Sequence, residues 1–301
     1  MQGKLTLGPV LFHWPAEKKR DFYFKIADEA PVETVYLGEV VCSKRSPFFE
    51  QYYDEVAERL NAAEKKVVFS TLAEIMLPRE RKMTTGLCEL TDFEIEANDT
   101  TALYSLRGRS HRVGQYFNVY NEETMGFLSK QGASHIALPA ELPKSSLKIL
   151  GQKAESLKIN LEVQVFGRVG LALSARCYHA RAHGRIKDNC QFICEEDPDG
   201  LPLQTLAGQD FLAVNGVQTL SYSSLNLIHE MKEMASMGIG WFRLSPQDCD
   251  MVEVAKCFES VISGRVSSKE GEQQLLNISN KFPFSNGFYY NKEGHRWIDR
   301  V

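Results

Sequence analysis

The sequence predicts an α/β fold, a (β/α)8-type barrel that is either regular or distorted. Short apolar runs alternate with longer amphipathic segments seven or eight times along the 301-residue chain. Strands that alternate with helices indicate a parallel sheet, and seven or eight such units suit a closed barrel better than an open sheet. The open, doubly wound sheet stays the alternative, but the chain lacks the G-x-G-x-x-G loop with which that fold binds a dinucleotide.

The strands are predicted from short runs rich in β-branched and aromatic residues. In chain order these runs are 9–12, 34–37, 67–71, 93–96, 111–114, 135–138, 161–167, 216–220 and 241–245. In a barrel of this kind the loops that follow the strands meet at one face, where the chemistry of the fold takes place.

The helices are predicted from apolar residues at helical spacing, as in residues 47–63 with Phe48, Tyr52, Val56 and Leu60. We expect residues 1–260 to form the barrel domain and the polar residues 261–301 to form a C-terminal extension or cap. The predicted helices are 16–29, 47–63, a polar helix that ends at 85, 101–106, 122–131, 143–157 and 225–237.

Composition excludes several classes of protein. The chain has no apolar run of about 18 residues, so we do not expect an integral membrane protein. Its net charge of -4 supplies no basic field for wrapping nucleic acid. The first ten residues lack the apolar core of a signal peptide, and the cysteine count of 7 is odd, so we expect a cytoplasmic protein without a disulfide framework.

Three of the cysteines fall within one eighteen-residue stretch, Cys177, Cys190 and Cys194, with the spacing C-x12-C-x3-C. Thiols grouped in this way in a reduced protein usually hold a metal or an iron–sulfur cluster. No second pair with zinc-knuckle spacing is present, so a fourth ligand must come from a distance, and Cys42 is the best candidate. Four thiolates of this kind suit a [4Fe–4S] cluster.

Two other interpretations of these cysteines stay open at this point. Free cysteine packs readily as a small buried hydrophobe, as we expect for Cys88, Cys249 and Cys257. The spacing alone also does not exclude zinc.

The predicted barrel places the four cysteines on one face, because Cys42 follows the second strand and the 177–194 segment follows the strand at 161–167. Basic residues crowd that segment, and they would either face solvent or offset a negative cluster and bind an anionic substrate. Other polar residues also follow predicted strands, and each is more often a cap than a catalyst: Glu39, Ser70, Thr71, Glu96, Asn118, Asn121, Glu141, Arg243 and Gln247.

Residues 174–181 (SARCYHAR) and 187–194 (KDNCQFIC) resemble the signature segment of the collagenase-like peptidases of family U32. Further stretches are similar to one branch of that family, which takes part in ubiquinone biosynthesis. They are 7–11 (LGPVL), 35–39 (VYLGE), 42–45 (CSKR), 69–73 (FSTLA) and 243–247 (RLSPQ). The similarity runs from about residue 5 to about residue 250.

The resemblance implies a [4Fe–4S] cluster on Cys42, Cys177, Cys190 and Cys194. It implies a heterodimer with a homologous subunit that carries its own cluster. It also implies hydroxylation of the aromatic ring of ubiquinone precursors without molecular oxygen, with prephenate as the oxygen donor and the quinone precursor delivered by a lipid-binding accessory protein.

Relatives in the family hydroxylate RNA bases, which is the runner-up activity, and the acidic charge weighs against it. A peptidase is the third alternative, but the sequence shows no H-E-x-x-H or G-x-S-x-G motif. The catalytic residues are unknown. The candidates are Glu39 and two arginines beside the cysteines, Arg176 and Arg181, which we expect to bind an anion or to support the cluster.

Overall fold

The computed structural model describes residues 3–279 and 281–299. Among these residues, eight parallel strands close into a barrel, because the last strand pairs with both the first and the seventh. Phe242, for example, lies opposite Leu5 on one side and Val163 on the other. The barrel strands are β1 Lys4–Leu7, β2 Thr34–Leu37, β3 Lys66–Ser70, β4 Glu94–Ala97, β5 His111–Val113, β6 Ala133–Leu138, β7 Asn160–Leu173 and β11 Trp241–Leu244.

Helices surround the barrel and bury their apolar faces against it in one continuous core. Several of them begin at side chains that accept backbone N–H bonds, such as Asp99, Asn121, Asp250 and Ser267. Within the described residues no helix combines the length and apolar character needed to cross a bilayer. The helices are α1 Ala16–Glu29, α2 Ser46–Phe49, α3 Tyr53–Ala62, α4 Pro78–Cys88, α5 Thr100–Ser105, α6 Glu122–Gln131, α7 Lys144–Leu157, α8 Tyr178–Ala182, α9 Met231–Ser236, α10 Met251–Ile262 and α11 Ser268–Ile278.

A small antiparallel arm extends from the barrel between β7 and β11. Strand β7 continues beyond the barrel, and its second half pairs with β10, which pairs in turn with β9, and β9 with β8. The segment that carries three cysteines connects β7 to β8, so the arm holds both of its ends. The additional strands are β8 Leu201–Gln204, β9 Asp210–Asn215, β10 Gln218–Asn226 and β12 Phe284–Ser285, which pairs with β10.

The barrel prediction is confirmed, but several elements differ from expectation. The predicted helix 47–63 is interrupted, because α2 ends at Phe49, a 3-10 turn spans Glu50–Tyr52, and α3 begins at Tyr53. The first strand is Lys4–Leu7, and the predicted strand 9–12 is a loop at the barrel mouth whose Val10, Leu11 and Phe12 are apolar because they are buried there. The predicted helix 225–237 is shorter, since β10 extends to Asn226 and α9 begins at Met231. At the first strand and at α9, the apolar run in the sequence reflects burial of its residues and does not correspond to a single strand or helix.

The C-terminal residues that are described pack against the barrel domain. Helix α11 contacts α10, and Lys144 donates its backbone N–H to the carbonyl of Tyr289 at 2.9 Å. Helix α10 continues to Ile262, past the predicted division at residue 260. The division itself stays a prediction, and its residues 1, 2, 280, 300 and 301 lie outside the described residues.

A four-cysteine cavity at the barrel mouth

Four cysteines from distant parts of the chain line one small cavity. Cys42 comes from the loop after β2, Cys177 from the start of α8, and Cys190 and Cys194 from the turns that follow α8. The structure therefore brings together the four thiols that the sequence spacing singled out. The remaining lining residues are Lys44, Arg45, His179, Lys187, Phe192, Ile193 and Gly216.

The loop that carries Cys42 is shaped by Glu39. The Oε1 atom of Glu39 accepts the backbone N–H groups of Val41 at 3.0 Å and of Cys42 at 2.9 Å. Just before it, Gly38 has a φ of 119°, and an added Cβ there would lie 2.3 Å from the carbonyl oxygen of Ser70. Glu39, a candidate catalytic residue from the sequence, thus has a visible structural task beside the cavity.

The other three thiols are positioned by tight local turns. The Sγ atom of Cys177 accepts the backbone N–H of Ala180 at 3.4 Å at the start of α8. Between Cys190 and Cys194, Gln191 and Phe192 both adopt left-handed backbone conformations, with φ of 50° and 52°. Non-glycine residues rarely adopt this conformation, so the turn is held by the packing around it.

That packing includes an aromatic group that covers the cavity. The ring of Phe192 lies 4.6 Å from Phe48 and 5.7 Å from His13, centroid to centroid. Burial, followed by the nearby Arg45 and Lys19, lowers the pKa of His13 to about 4, so its imidazole is neutral at neutral pH. Phe192, Phe48 and His13 are therefore all uncharged at neutral pH.

Arg45 is the buried cation of the site, with only 3% of its surface exposed. Its guanidinium donates to the carbonyl of Leu11 and to Oδ1 of Asn215, both at 2.9 Å, whereas its Nε has no hydrogen-bond partner. Burial by itself lowers the pKa of Arg45, but Cys194, Glu39 and Cys42 together raise it above its ordinary value. Arg45 stays charged beside the thiols.

Burial raises the pKa values of the thiols of Cys42, Cys177 and Cys194, although Arg45 opposes that rise. Protonated thiols do not bind metal, so a metal or cluster would have to displace their protons on binding. The remaining three cysteines do not line the cavity. Burial raises the pKa of Cys88 and of Cys257 to about 11 and that of Cys249 to about 12.

A larger cavity of about 490 Å3 lies on the other side of the Cys42 loop. Glu39 and Ser43, the neighbours of Cys42 in sequence, line it together with the exits of β2 and β3. Its volume is within the range of small-molecule sites. Most of its wall is apolar, with side chains from β3, its exit loop, α4 and the turn after α4: Phe69, Leu72, Met83, Leu87 and Leu90.

Inside the barrel, the carboxylate of Glu162 is the centre of a buried ion-pair network. It accepts hydrogen bonds from Tyr36 at 2.7 Å, His135 at 2.9 Å, Arg243 at 2.7 Å and also Thr6. Burial opposes the charge, but Arg243 and His135 outweigh it and hold the pKa of Glu162 well below its ordinary value.

A second carboxylate extends this network, since Arg243 also pairs with Glu96 at 2.6 Å. Its guanidinium lies 4.0 Å above the ring of Tyr36. Two of the polar residues expected at strand ends, Glu96 and Arg243, are therefore strand residues that pair with each other in the barrel interior.

The remaining predicted site residues are exposed or make local hydrogen bonds. Arg176 and Arg181 are exposed, and neither lines the four-cysteine cavity. Ser70 donates to Glu96, Asn121 caps α6, and Gln247 donates to the carbonyl of Pro246. Sequence reasoning missed Arg45 as the cation of the site, although it is only three residues from Cys42.

Comparisons with known proteins place this geometry in context. The family model described as peptidase family U32 matches residues 16–299. Among solved structures, dihydropteroate synthase from Thermus thermophilus in complex with 6HMPPP has 11% identity and a TM-score of 0.45, over 88% of this chain and 94% of that chain. The tryptophan synthase complex from Pyrococcus furiosus has 10% identity and a TM-score of 0.41, over 92% and 98%.

Proposed function

The chain belongs to peptidase family U32, and from that premise we propose that it is an iron–sulfur subunit of an oxygen-independent hydroxylase, similar to the ubiquinone-biosynthesis protein UbiV. The substrate would be the aromatic ring of a ubiquinone precursor, with prephenate as the oxygen donor. The observation that carries the proposal is the single cavity lined by Cys42, Cys177, Cys190 and Cys194.

The spread of the thiols favours a cluster over a single zinc ion. Zinc bound by thiolates at about 2.3 Å in a tetrahedron holds its sulfurs about 3.8 Å apart. Among the residues described, one group of three or more His, Cys, Asp or Glu ligand atoms lies within 4.8 Å of one another, and it contains no cysteine. In a [4Fe–4S] cluster each thiolate binds a different iron, so the sulfurs are farther apart.

The cavity as it stands has room for about one water molecule, at about 20 Å3. A cluster is larger than this, so its binding would require the loop that carries Cys190, which is exposed at Ile186 and Asp188, to shift outward. The donor set fits the group, and the exposed loop is the part that would adjust.

The cluster, when bound, would relay single electrons, because four cysteine ligands leave no iron open to substrate. The surrounding residues suit an anionic group. Arg45 supplies a buried positive charge, and Lys44 and Lys187 also line the cavity. Phe192 lines the cavity and packs against Phe48 and His13, and burial of this kind would tune the potential of a cluster.

The substrate would bind in the 490 Å3 cavity, which the Cys42 loop separates from the four cysteines. Its apolar wall suits an aromatic ring with a hydrocarbon substituent, and Ser43 and Glu39 offer polar groups at the end nearest Cys42. A lipid-binding accessory protein would deliver such a precursor.

A homologous subunit, similar to UbiU, would bind over the exposed apolar residues beside the cysteines. Phe48 contacts Phe192, and Met76 lies 3.9 Å, sulfur to nitrogen, from Lys187 next to Ile186. Phe48, Met76, Leu77 and Ile186 are 43–65% exposed, and clustered apolar exposure of this kind marks interaction surfaces. An RNA-base hydroxylase or a peptidase has no comparable observation in its favour.

The proposal is tested by anaerobic purification after co-expression with the homologous subunit. We expect a brown one-to-one complex with about four irons and four sulfides on this chain. Replacing any one of Cys42, Cys177, Cys190 and Cys194 with alanine should strongly deplete that iron, whereas Cys88→Ala, Cys249→Ala and Cys257→Ala should retain it. A colourless protein, or full iron in Cys42→Ala, would contradict the four-thiol site.

The physiological role has its own test in a deletion strain. Quinone content without air should return with the wild-type gene and not with Cys190→Ala, while growth in air should make the gene dispensable. Full anaerobic quinone synthesis by a cluster-free Cys190→Ala protein would contradict the electron-relay role.

A further inference from the structure

A second group of ligand-type side chains lies beside the cysteines. His179 is in α8, His183 caps the end of that helix, and Asp197 follows the turn that carries Cys194. Nε2 of His179 lies 2.8 Å from Oδ2 of Asp197, and the two imidazole rings are nearly parallel with centroids 5.7 Å apart. One ligand atom from each of the three residues lies within 4.8 Å of the other two.

The burial of His179 distinguishes this group from a surface ion pair. His179 is fully buried, and its Nδ1 has no hydrogen-bond partner, which is costly for a polar atom. Asp197 is partly exposed and His183 is exposed, so the group opens to solvent on one side. An ion therefore has a path from solvent to the three side chains.

We propose that His179, His183 and Asp197 bind one divalent transition-metal ion, Fe2+ or Zn2+, next to the four-cysteine site. Two imidazole nitrogens and one carboxylate oxygen form a donor set that suits these metals, whereas Ca2+ and Mg2+ prefer oxygen ligands alone. Three protein ligands leave coordination positions for water or a small anion. The proposal does not depend on a cluster in the neighbouring cavity.

Zinc is the probe, because it is not a component of an iron–sulfur cluster. Anaerobically purified protein is incubated with Zn2+ and desalted, and zinc and iron are counted in the same sample. We expect about one zinc per chain, with zinc X-ray absorption that shows nitrogen and oxygen neighbours at about 2.0–2.1 Å. Sulfur neighbours at about 2.3 Å would place the zinc on the thiols and overturn the proposal.

Two variants define the ligands. His183→Ala and Asp197→Asn change exposed or partly exposed side chains and should weaken zinc binding at least tenfold, with the acid-labile sulfide content and the melting temperature unchanged. His295→Ala replaces an exposed histidine elsewhere and should bind zinc as the wild type does.

The proposal is wrong if the wild-type protein binds no zinc or if the variants bind zinc equally well. His179 and Asp197 would then form only a hydrogen bond that joins two turns. If iron is absent while zinc binds with nitrogen and oxygen neighbours, the proposed cluster fails and this site stands.

Discussion

The four-cysteine cavity and the ion-pair network around Glu162 are both buried and polar, but they differ in where their partners come from. In the network, strand residues of the barrel supply four donors to one carboxylate, although Nε of Arg243 has no partner. In the cavity, the thiols of Cys42, Cys177 and Cys194 have raised pKa values, and Nε of Arg45 and Nδ1 of His179 have no partner. The carboxylate of Glu162 finds all of its partners within the chain, whereas the thiols of the cavity are suited to binding a ligand.

This difference assigns separate tasks to the two regions. Groups that are satisfied within the strands stabilise the barrel under any condition of ligand or redox state. Groups that bind a ligand add to the stability of the folded protein only when that ligand is bound. Substitutions in the two regions should therefore separate folding from cofactor content.

The largest effect on stability is expected from Glu162→Ala. The substitution leaves Arg243 without one of its two carboxylates inside the barrel, and removal of one partner from a buried pair costs about 3–5 kcal/mol. Denaturant unfolding measures the loss. Glu33→Ala is the control, because it removes an exposed pair with Lys4 and should cost less than about 1 kcal/mol. Equal costs for the two variants would contradict a stabilising role of the network.

Arg45→Ala should have a smaller effect on unfolding and a specific effect on the cavity. It leaves the side chain of Asn215 and the carbonyl of Leu11 with fewer partners, at a cost of about 2 kcal/mol. If a cluster is bound, loss of the nearby positive charge should lower its reduction potential. EPR-monitored titration measures the potential, and Arg45→Lys should restore part of it. An unchanged reduction potential in an Arg45→Ala protein with full iron would show that Arg45 does not influence the cluster.

Gly216→Ala isolates a single steric contact. Gly216 has a φ of 63°, and an added Cβ would lie 2.8 Å from a terminal nitrogen of Arg45. Gly184 has a nearly equal φ of 67° and open space around it. Both alanine variants should lose about 1 kcal/mol through backbone strain, and Gly216→Ala should lose more and also bind less iron. Identical behaviour of the pair would show that Arg45 moves aside freely.

The smallest effect concerns pH and His13. Its pKa of about 4 in the folded protein lies below the ordinary value of 6.5, so the unfolded chain binds the proton first as pH falls. The stability contributed by the neutral imidazole is present above pH 6.5 and is lost toward pH 4. We expect about 1 kcal/mol of lost stability between pH 7 and pH 5, which His13→Gln should reduce. An equal slope in the variant would assign the loss to other groups.

The sequence predicted the barrel well because the barrel rests on a strong local signal, the alternation of short apolar runs with amphipathic segments. Helices α1 and α6 and strand β2 have the predicted bounds, since their apolar periods are interrupted at both ends. The arm was only partly predicted. Strand β8 is short, exposed and contains Pro202, and β9 begins with exposed residues, so neither carries the pattern of a buried strand.

The charges of the site were harder to predict than its thiols. Arg176 and Arg181 are near cysteines in sequence but exposed, whereas Arg45 is buried by contacts with Leu11 and Asn215. The network partners Glu162, Tyr36 and His135 lie on three different strands, and only closure of the barrel brings them together. Burial and long-range pairing are properties of the fold rather than of a local window.

The cysteines are contributed by two segments far apart in the chain, and a shared cluster would join them covalently. Such a bond would close a loop that contains most of the barrel, from the exit of β2 to the exit of β7, and long loops lose the most entropy when their ends are joined. The site would then stabilise the folded chain as well as serve as a redox centre. Oxidative loss of the cluster would open that loop again and lower the stability of the folded chain.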